Sequence, residues 1–445
     1  MSISTFTAIE VRRLPTESLN PYANNPKLHP EKQVRQIAAC MRECGFINPI
    51  IVDKDNVIIA GHGRYAAAKL LGLKEVPTIV VDHLTDAQVR AYRLADNQLA
   101  LNSGYDNDLL KIELGTLGEM DLSFDLEITG FETAEIDLLL DGQAEPKPNP
   151  ADAVPDIEPV AVTQPGDIWQ LGKHRLICGD STKPETYAAL MQGEKAQAII
   201  TDPPYNVPNE GHVCGLGKIK HREFVMGGGE MTDPEFDAFL EAFMANCVAH
   251  SVDGSLHYVF IDWRHVYNVI GAGRQHYSDL KNICVWAKLN GGMGAMYRSQ
   301  HEMVVLFKNG TAPHINTIQL GKYGRYRTNV WSFAGVNSFG KQQEDLKMHP
   351  TVKPVAMLVE AIKDCTRRKH NVLDPFGGSG STLIACEDSG RVARCIELDP
   401  LYCDVIIRRW QQHTGGEAVH VASGMTFAQI EVSRVIQPEM EASDV

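Results

Sequence analysis

Thr201-Asp202-Pro203-Pro204-Tyr205-Asn206 sets a carboxylate, a rigid diproline and an aromatic ring in a row behind a short apolar stretch, Ala198-Ile199-Ile200. These parts suit work on an amino group attached to a heteroaromatic ring. Such a nitrogen is a poor nucleophile, because its lone pair is delocalised into the ring. A carboxylate can draw on its protons and turn it towards an electrophile, and a carbonyl fixed by proline supplies a second acceptor. The tyrosine ring can stack on a base turned out of a duplex. Taken alone, the tetrapeptide reads equally well as a rigid strand-end turn with a buried tyrosine.

A second element lies further along the chain. Asn371-Val372-Leu373 reads as a strand and runs into Asp374-Pro375-Phe376-Gly377-Gly378-Ser379-Gly380-Ser381-Thr382, with a helix after it. Glycines in such a loop let the backbone approach a ligand closely. No lysine follows Gly380, which argues against a phosphate-cradling loop. The next strand, Ala393 to Ile396, is followed by Glu397, about twenty residues on, where an acid accepts hydrogen bonds from ribose hydroxyls. Together these features point to a nucleoside ligand whose phosphates are not its main handle. A plain tight turn is the bland alternative.

The elements around these motifs alternate. In the C-terminal region, strands are expected at 198–200, 257–261, 283–288, 303–308, 371–373 and 393–396. A helix is expected to start at Asp233-Pro234, with Asp233 as its cap, and another to span 355–365. Strands alternating with helices imply an α/β fold around a mostly parallel sheet covered on both faces. Nearer the N-terminus, Ile50–Val52 and Val57–Ala60 read as a hairpin about Asp53-Lys54-Asp55-Asn56. Helices are expected at 65–71, 86–98 and 131–140, and a strand at 76–81. The proline-rich stretch 141–167 reads as a linker. It divides a small α/β domain at 1–140 from a larger one at 168–425, with a polar, loosely held tail at 426–445.

Composition sets bounds on function. Of 445 residues, 44% are hydrophobic and 22% charged, which suits a soluble protein of two or three domains. No apolar run approaches the ~18 residues of a membrane span, and no secretory signal is read at the N-terminus. Ten cysteines without a Cys-x-x-Cys pair point to reduced thiols in a cytoplasmic protein and to no metal centre. Cys40 and Cys44 read as core packing. The net charge of −14 counts against a protein coated in positive charge, so any nucleic-acid contact must come from local basic patches.

The region 168–425 resembles the amino-methylating DNA methyltransferases of restriction–modification type, in the group whose catalytic motif precedes the cofactor motif. Cys178-Gly179-Asp180-Ser181 and His349-Pro350-Thr351-Val352-Lys353-Pro354 complete four motifs in the expected order. The resemblance implies a Rossmann-like sheet that binds S-adenosylmethionine. It makes Asp202, Pro203, Pro204 and Tyr205 catalytic. It gives the cofactor Asp374, Phe376, Gly377, Gly378, Ser379, Gly380 and Glu397, with Asp180 by the adenine and Lys353 by the methionine end. Asp rather than Ser at the first catalytic position leans towards N6 of adenine over N4 of cytosine. Two further readings are methylation of a protein glutamine and a nucleotide-gated DNA-binding protein with a vestigial catalytic domain.

Residues 206–347 exceed what a minimal sheet needs and read as an inserted target-recognition region. Two basic, loop-like stretches there suit phosphate and base contacts with double-stranded DNA, through Lys218, Lys220 and Arg222, and through Lys322, Arg325 and Arg327. Trp286-x-Lys288 and Arg298-x-x-His301-Glu302 are given structural roles. The N-terminal pattern Asn25-Pro26, Gly45-Phe46-Ile47, Pro49-Ile50 and Gly61-His62-Gly63-Arg64 resembles the N-terminal domain of ParB-type partition proteins over about 8–110. It implies a nucleotide-binding or DNA-associated module, although His62 and a single arginine replace the acid and arginine pair of that box. No helix-turn-helix is expected to follow. A homodimer is an open expectation.

Overall fold

A computed structural model describes residues 10–120, 122–141, 150–207, 228–288, 296–318, 327–333 and 352–436. The chain divides into two compact units, Met1–Leu140 and Asp141–Val445.

The first unit runs β1 (Val11–Pro15), α1 (Glu31–Cys44), β2 (Ile50–Val52), β3 (Ile58–Ala60), α2 (His62–Leu70), β4 (Glu75–Val80), α3 (Asp86–Leu101), α4 (Asn107–Glu119) and α5 (Thr133–Asp141). Its sheet has the order β1-β4-β2-β3. The expected hairpin is present. Asp53 Oδ1 accepts from the backbone N–H groups of Asp55 (2.9 Å) and Val57 (2.8 Å), and Asn56 takes a left-handed φ of 59° to turn the chain. Leu19, Ile50, Val52, Ile58, Ala68 and Val76 close the core of this sheet. A separate cluster of Leu114, Leu126 and Ile136 ties α4 to α5.

Among its described residues the second unit holds one ten-stranded sheet. Its strands are β5 (Ile168–Leu171), β6 (His174–Cys178), β7 (Ala196–Thr201), β8 (Ser251–Ile261), β9 (Asp279–Ala287), β10 (His301–Lys308), β11 (Val330–Ser332), β12 (Asn371–Asp374), β13 (Val392–Glu397) and β14 (Ala418–His420). The order is β11-β9-β10-β8-β7-β12-β13-β6-β5-β14. The strands β8, β7, β12, β13 and β6 are mutually parallel, as expected from the alternating pattern. Antiparallel pairs flank them, β10 with both β8 and β9 on one side and β5 with both β6 and β14 on the other. Period-two alternation splits the strand residues between two cores. Ala198, Ile200, Val372, Ala393 and Cys395 face one, and Ile199, Leu373 and Ile396 face the other; Ala196 joins the second core because the register of β7 shifts between Ala196 and Ala198. Helices Val355–Cys365, Ser381–Asp388 and Pro400–Thr414 cover the first face. α6 (Pro184–Met191) and the helices Asp233–Ala249 and Val266–His276 cover the second.

Three expectations are corrected. The stretch 150–167 is no free spacer. Asp404 accepts from the backbone N–H groups of Val162 (2.6 Å) and Thr163 (3.0 Å) and from the Thr163 hydroxyl (2.6 Å), and both residues are buried. Composition hid this anchor because it holds backbone rather than large apolar side chains. The tail is packed as far as Arg434. Thr426 and Gln429 form a capping box, and Phe427 meets Trp169 edge-on at 5.3 Å. Lastly, Thr232 rather than Asp233 caps the helix Asp233–Ala249, because Glu235 bonds back to the Thr232 backbone N–H at 2.8 Å.

Replacing Asp404 with Ala leaves buried donors unsatisfied, at about 1–3 kcal/mol. The variant is expected to unfold earlier in urea and to be cut by proteinase K between 153 and 165. Wild-type resistance in the variant would refute the anchor.

Candidate active site

β7 and β12 are parallel neighbours, yet the next strands along the chain lie on opposite sides of them: β8 beside β7, β13 beside β12. Such a reversal opens a crevice at the carboxyl ends of the strands. A cleft of about 1340 Å³, open to solvent, lies there. Asp180, Asp202, Pro203, Pro204, Tyr205, Lys353, Asp374, Phe376, Gly377, Gly378, Ser379 and Glu397 all line it, so residues far apart in sequence meet as expected. Gly380 does not line it. It takes a left-handed φ of 85° to start the helix Ser381–Asp388, and a Cβ there would come within 3.1 Å of Ile406.

The glycine loop is fastened at each turn. The Gly377 N–H donates to the Ile396 carbonyl and the Gly380 N–H to the Gly377 carbonyl, both at 2.8 Å. Glu397 accepts from the Gly378 N–H (2.7 Å) through one oxygen and from the Asp399 N–H (2.9 Å) through the other. Burial pushes the Glu397 carboxyl up to about 7, against the pull of those two bonds. Burial likewise lifts Asp374 to about 7, although the Phe376 N–H and the Thr382 hydroxyl bond to it. Asp180 accepts from the Thr182 N–H (2.8 Å) and hydroxyl (2.7 Å), so it shapes its turn while facing the cleft.

Opposite this loop, four charges form one chain. Asp202 Oδ1 accepts from the Tyr205 hydroxyl (2.6 Å), and Oδ2 accepts from Lys353 Nζ (2.5 Å). Lys353 Nζ also lies 3.1 Å from Glu302 Oε2, and Glu302 Oε1 accepts from Lys288 Nζ at 2.5 Å. The rings of Phe260 and Trp286 lie 5.3 and 5.9 Å from Lys353 Nζ. Burial raises the Asp202 carboxyl, the charge of Lys353 opposes it, and that of Glu302 adds to it. Burial would also raise Glu302, but Lys353 and Lys288 outweigh this and hold it at about 2. Burial would lower Lys353, and its two carboxylates reverse the sign. Asp202 keeps a quarter of its side chain accessible, whereas Lys353 keeps 6%. Lys353 therefore acts directly on Asp202 while it also lines the cleft.

Glu302 and Lys288, given structural roles from sequence, belong to this cluster. The legible signal was an acid opening the apolar run Met303–Phe307, which is costly unless paired. The DNA-contact residues Lys218, Lys220, Arg222, Lys322 and Arg325 lie outside the described residues, as do 349–351 of the motif before Lys353. Arg327 is described and is no open phosphate contact. Its Nε donates to Asp364 at 3.1 Å, it stacks over Trp331 at 5.4 Å, and only 14% of its side chain is exposed. In the N-terminal box, Arg64 donates to the Asn48 and Pro49 carbonyls, each at 2.9 Å. His62 accepts from the Tyr22 N–H at 3.3 Å and is held near 4 by burial, then by Arg93 and His29.

Among the described residues that line the cleft, Lys353 is the one cation, while Asp180, Asp202, Asp374, Glu397 and Asp399 supply carboxylates. That donor set fits a cationic nucleoside and does not fit a phosphate chain.

Comparisons with known proteins place the chain among families. Family models match for a DNA methylase over 196–408, a ParB-methyltransferase HTH domain over 108–165 and a ParB N-terminal domain over 2–98. The second match overturns the expectation that no helix-turn-helix follows, and α4 and α5 fall within it. Over 74 residues the chain is 43% identical to the ParB-like nuclease domain-containing protein YnaK of Escherichia coli (strain K12), covering 17% of this chain and 85% of that protein. Over 239 residues it is 24% identical to the type II methyltransferase M2.MboI of Moraxella bovis, covering 51% and 85%. A crystal structure of an M1.HpyAVI–SAM complex aligns with a TM-score of 0.39 and 20% identity, over 53% of this chain and 97% of that one.

Glu397 accepts hydrogen bonds best when ionised, and its carboxyl titrates near 7. Affinity for a nucleoside that donates to it is expected to rise with pH through that region and to fall below it. Calorimetry across pH should show this for wild type and lose it in Glu397→Gln. An identical slope in the variant would remove Glu397 from binding.

Proposed function

Because the chain belongs to the amino-methylating DNA methylases, joined to a ParB-like N-terminal domain, we propose that it methylates N6 of adenine in double-stranded DNA, with S-adenosylmethionine as donor. The observation that carries the proposal is the approach of the Asp202 carboxylate, at the end of β7, to the glycine loop at the end of β12 within one cleft. The cofactor supplies a methyl group on a positively charged sulfur. Glu397 would accept from its ribose hydroxyls, Gly378, where a Cβ would face open space, would leave room for the nucleoside, and Phe376 would give it an apolar wall.

The target base enters beside Asp202. Its amino group donates to the Asp202 carboxylate and to the backbone carbonyl that the prolines hold rigid, which frees the nitrogen lone pair for attack. Tyr205 leaves Asp202 and stacks on the base. Asp202, raised by burial, can take up the proton that the methylated nitrogen sheds. Lys353 sets how readily Asp202 holds a proton, and Glu302 with Lys288 fixes Lys353. Asp rather than Ser at position 202 favours adenine, by family resemblance.

Asp202→Ala is expected to reduce transfer of a tritiated methyl group to DNA by about 10²–10³-fold or more, while cofactor affinity stays near wild type. Retained transfer would remove the assigned role. Lys353→Met deletes the charge that favours the Asp202 carboxylate, so the Asp202 carboxyl rises further and the acid limb of the pH–rate profile should move to higher pH. An unmoved limb would separate Lys353 from the acid. Digestion of methylated DNA to nucleosides decides the base: N6-methyladenine is expected, and N4-methylcytosine alone would sink the adenine reading.

A further inference from the structure

β8 runs beside β7 in the same direction and ends at Ile261. Asp262-Trp263-Arg264-His265 therefore leaves the sheet one strand over from Asp202. β10 runs the opposite way, with Met303 paired to Ile261, so Met296-Tyr297-Arg298 reaches the same edge before β10 begins. The burial pattern at this edge is unusual. Trp263 is 54% exposed, Tyr267 82% and Tyr297 81%. Rings of this size are normally buried or find a partner.

The turn that carries Trp263 is built rather than frayed. Asp262 Oδ1 accepts from the His265 backbone N–H (3.0 Å) and from its ring Nδ1 (2.7 Å), and Arg264 reaches Asp262 Oδ2 at 3.3 Å. The His265 ring packs edge-on to Phe236 at 5.3 Å. Held in this way, the turn still presents its indole outward, with the Arg264 guanidinium 4.8 Å from the ring centroid and half exposed. An aromatic followed by an arginine recurs at Tyr297-Arg298. In a chain of net charge −14, two such pairs beside the cleft match a polyanion that carries flat bases.

We propose that Trp263, Tyr267 and Tyr297, with Arg264 and Arg298, form a platform for the DNA strand that carries the target base. The rings stack on bases next to the extruded nucleotide, which lose a stacking partner when it leaves, and the guanidinium groups meet the adjoining phosphates. This assignment rests on the reading of the cleft as a base-methylating site.

The test uses the full chain with Trp263→Ala, Trp263→Phe, Arg264→Ala and the double variant Tyr267→Ala/Tyr297→Ala. Affinity for a fluorescent DNA duplex is followed by anisotropy over a range of salt, beside methyl transfer, cofactor affinity and mass by light scattering. Trp263→Ala is expected to weaken DNA binding about tenfold, the scale of one lost base–ring stack, with most of it restored by phenylalanine. Arg264→Ala should flatten the slope of log affinity against log salt by about one. Cofactor affinity should stay unchanged. DNA affinity within about twofold of wild type in all variants would overturn the platform. So would a loss that tracks a change from dimer to monomer, which would give the surface to a second copy. If wild type transfers no methyl group to DNA, yet its DNA affinity depends on Trp263 and Arg264, the platform stands and the reading of the cleft fails.

Discussion

Two carboxylates and two lysines share a few ångströms at the carboxyl edge of the large sheet. Lys353, almost wholly buried, lies between Asp202 and Glu302. A buried ammonium without partners is costly, and so is a buried carboxylate. Each therefore requires the others, and they come from four parts of the chain: the end of β7, the end of β9, the start of β10 and the approach to the helix Val355–Cys365. The sheet order that brings these parts together is enforced partly by the need to balance this charge. The same balance leaves Asp202 as the more open of the two carboxylates, so the acid needed for chemistry is the one that solvent or substrate reaches more easily.

The other wall of the cleft follows a different rule. The glycine loop is held by its own backbone, and Glu397 spends both oxygens on N–H groups of the flanking turns. A ligand that donates to Glu397 joins a carboxylate already oriented. Fixing the acceptor in advance reduces the ordering cost of binding.

Much of this was legible in the sequence, because the motifs carry their own local geometry. Asp374 to Gly380 predicts a strand, a turn and a helix without help from the rest of the chain, and Asp202 to Tyr205 predicts a rigid strand end. The hairpin about Asp53 is legible for the same reason. What escaped depends on partners distant in sequence. Nothing local marks Glu302 or Lys288 as neighbours of Asp202. Nothing in a proline-rich run marks Val162 and Thr163 as bonded to Asp404. Arg327 sits in a basic stretch that reads as a nucleic-acid contact, yet Asp364 claims it. α5 was expected, but α4 was hidden differently, since the cluster that ties it to α5 is small and a proline-rich run follows directly.

The adjacency of β7 and β12 has a bearing on how the protein is made. Val372 pairs with Ala198, so the middle of the sheet joins residues separated by most of the second unit. Closing a loop of that length precedes any reward from the contact, and non-local parallel pairing is slow for this reason. On the ribosome, β7 is synthesised long before its neighbour exists. Until β12 emerges, Ile199 and Ile200 lack half of their sheet, and an apolar strand with an unpaired edge is open to misassociation. The first unit, whose strands lie close together in sequence, is free of this delay and can fold while the second is still being built.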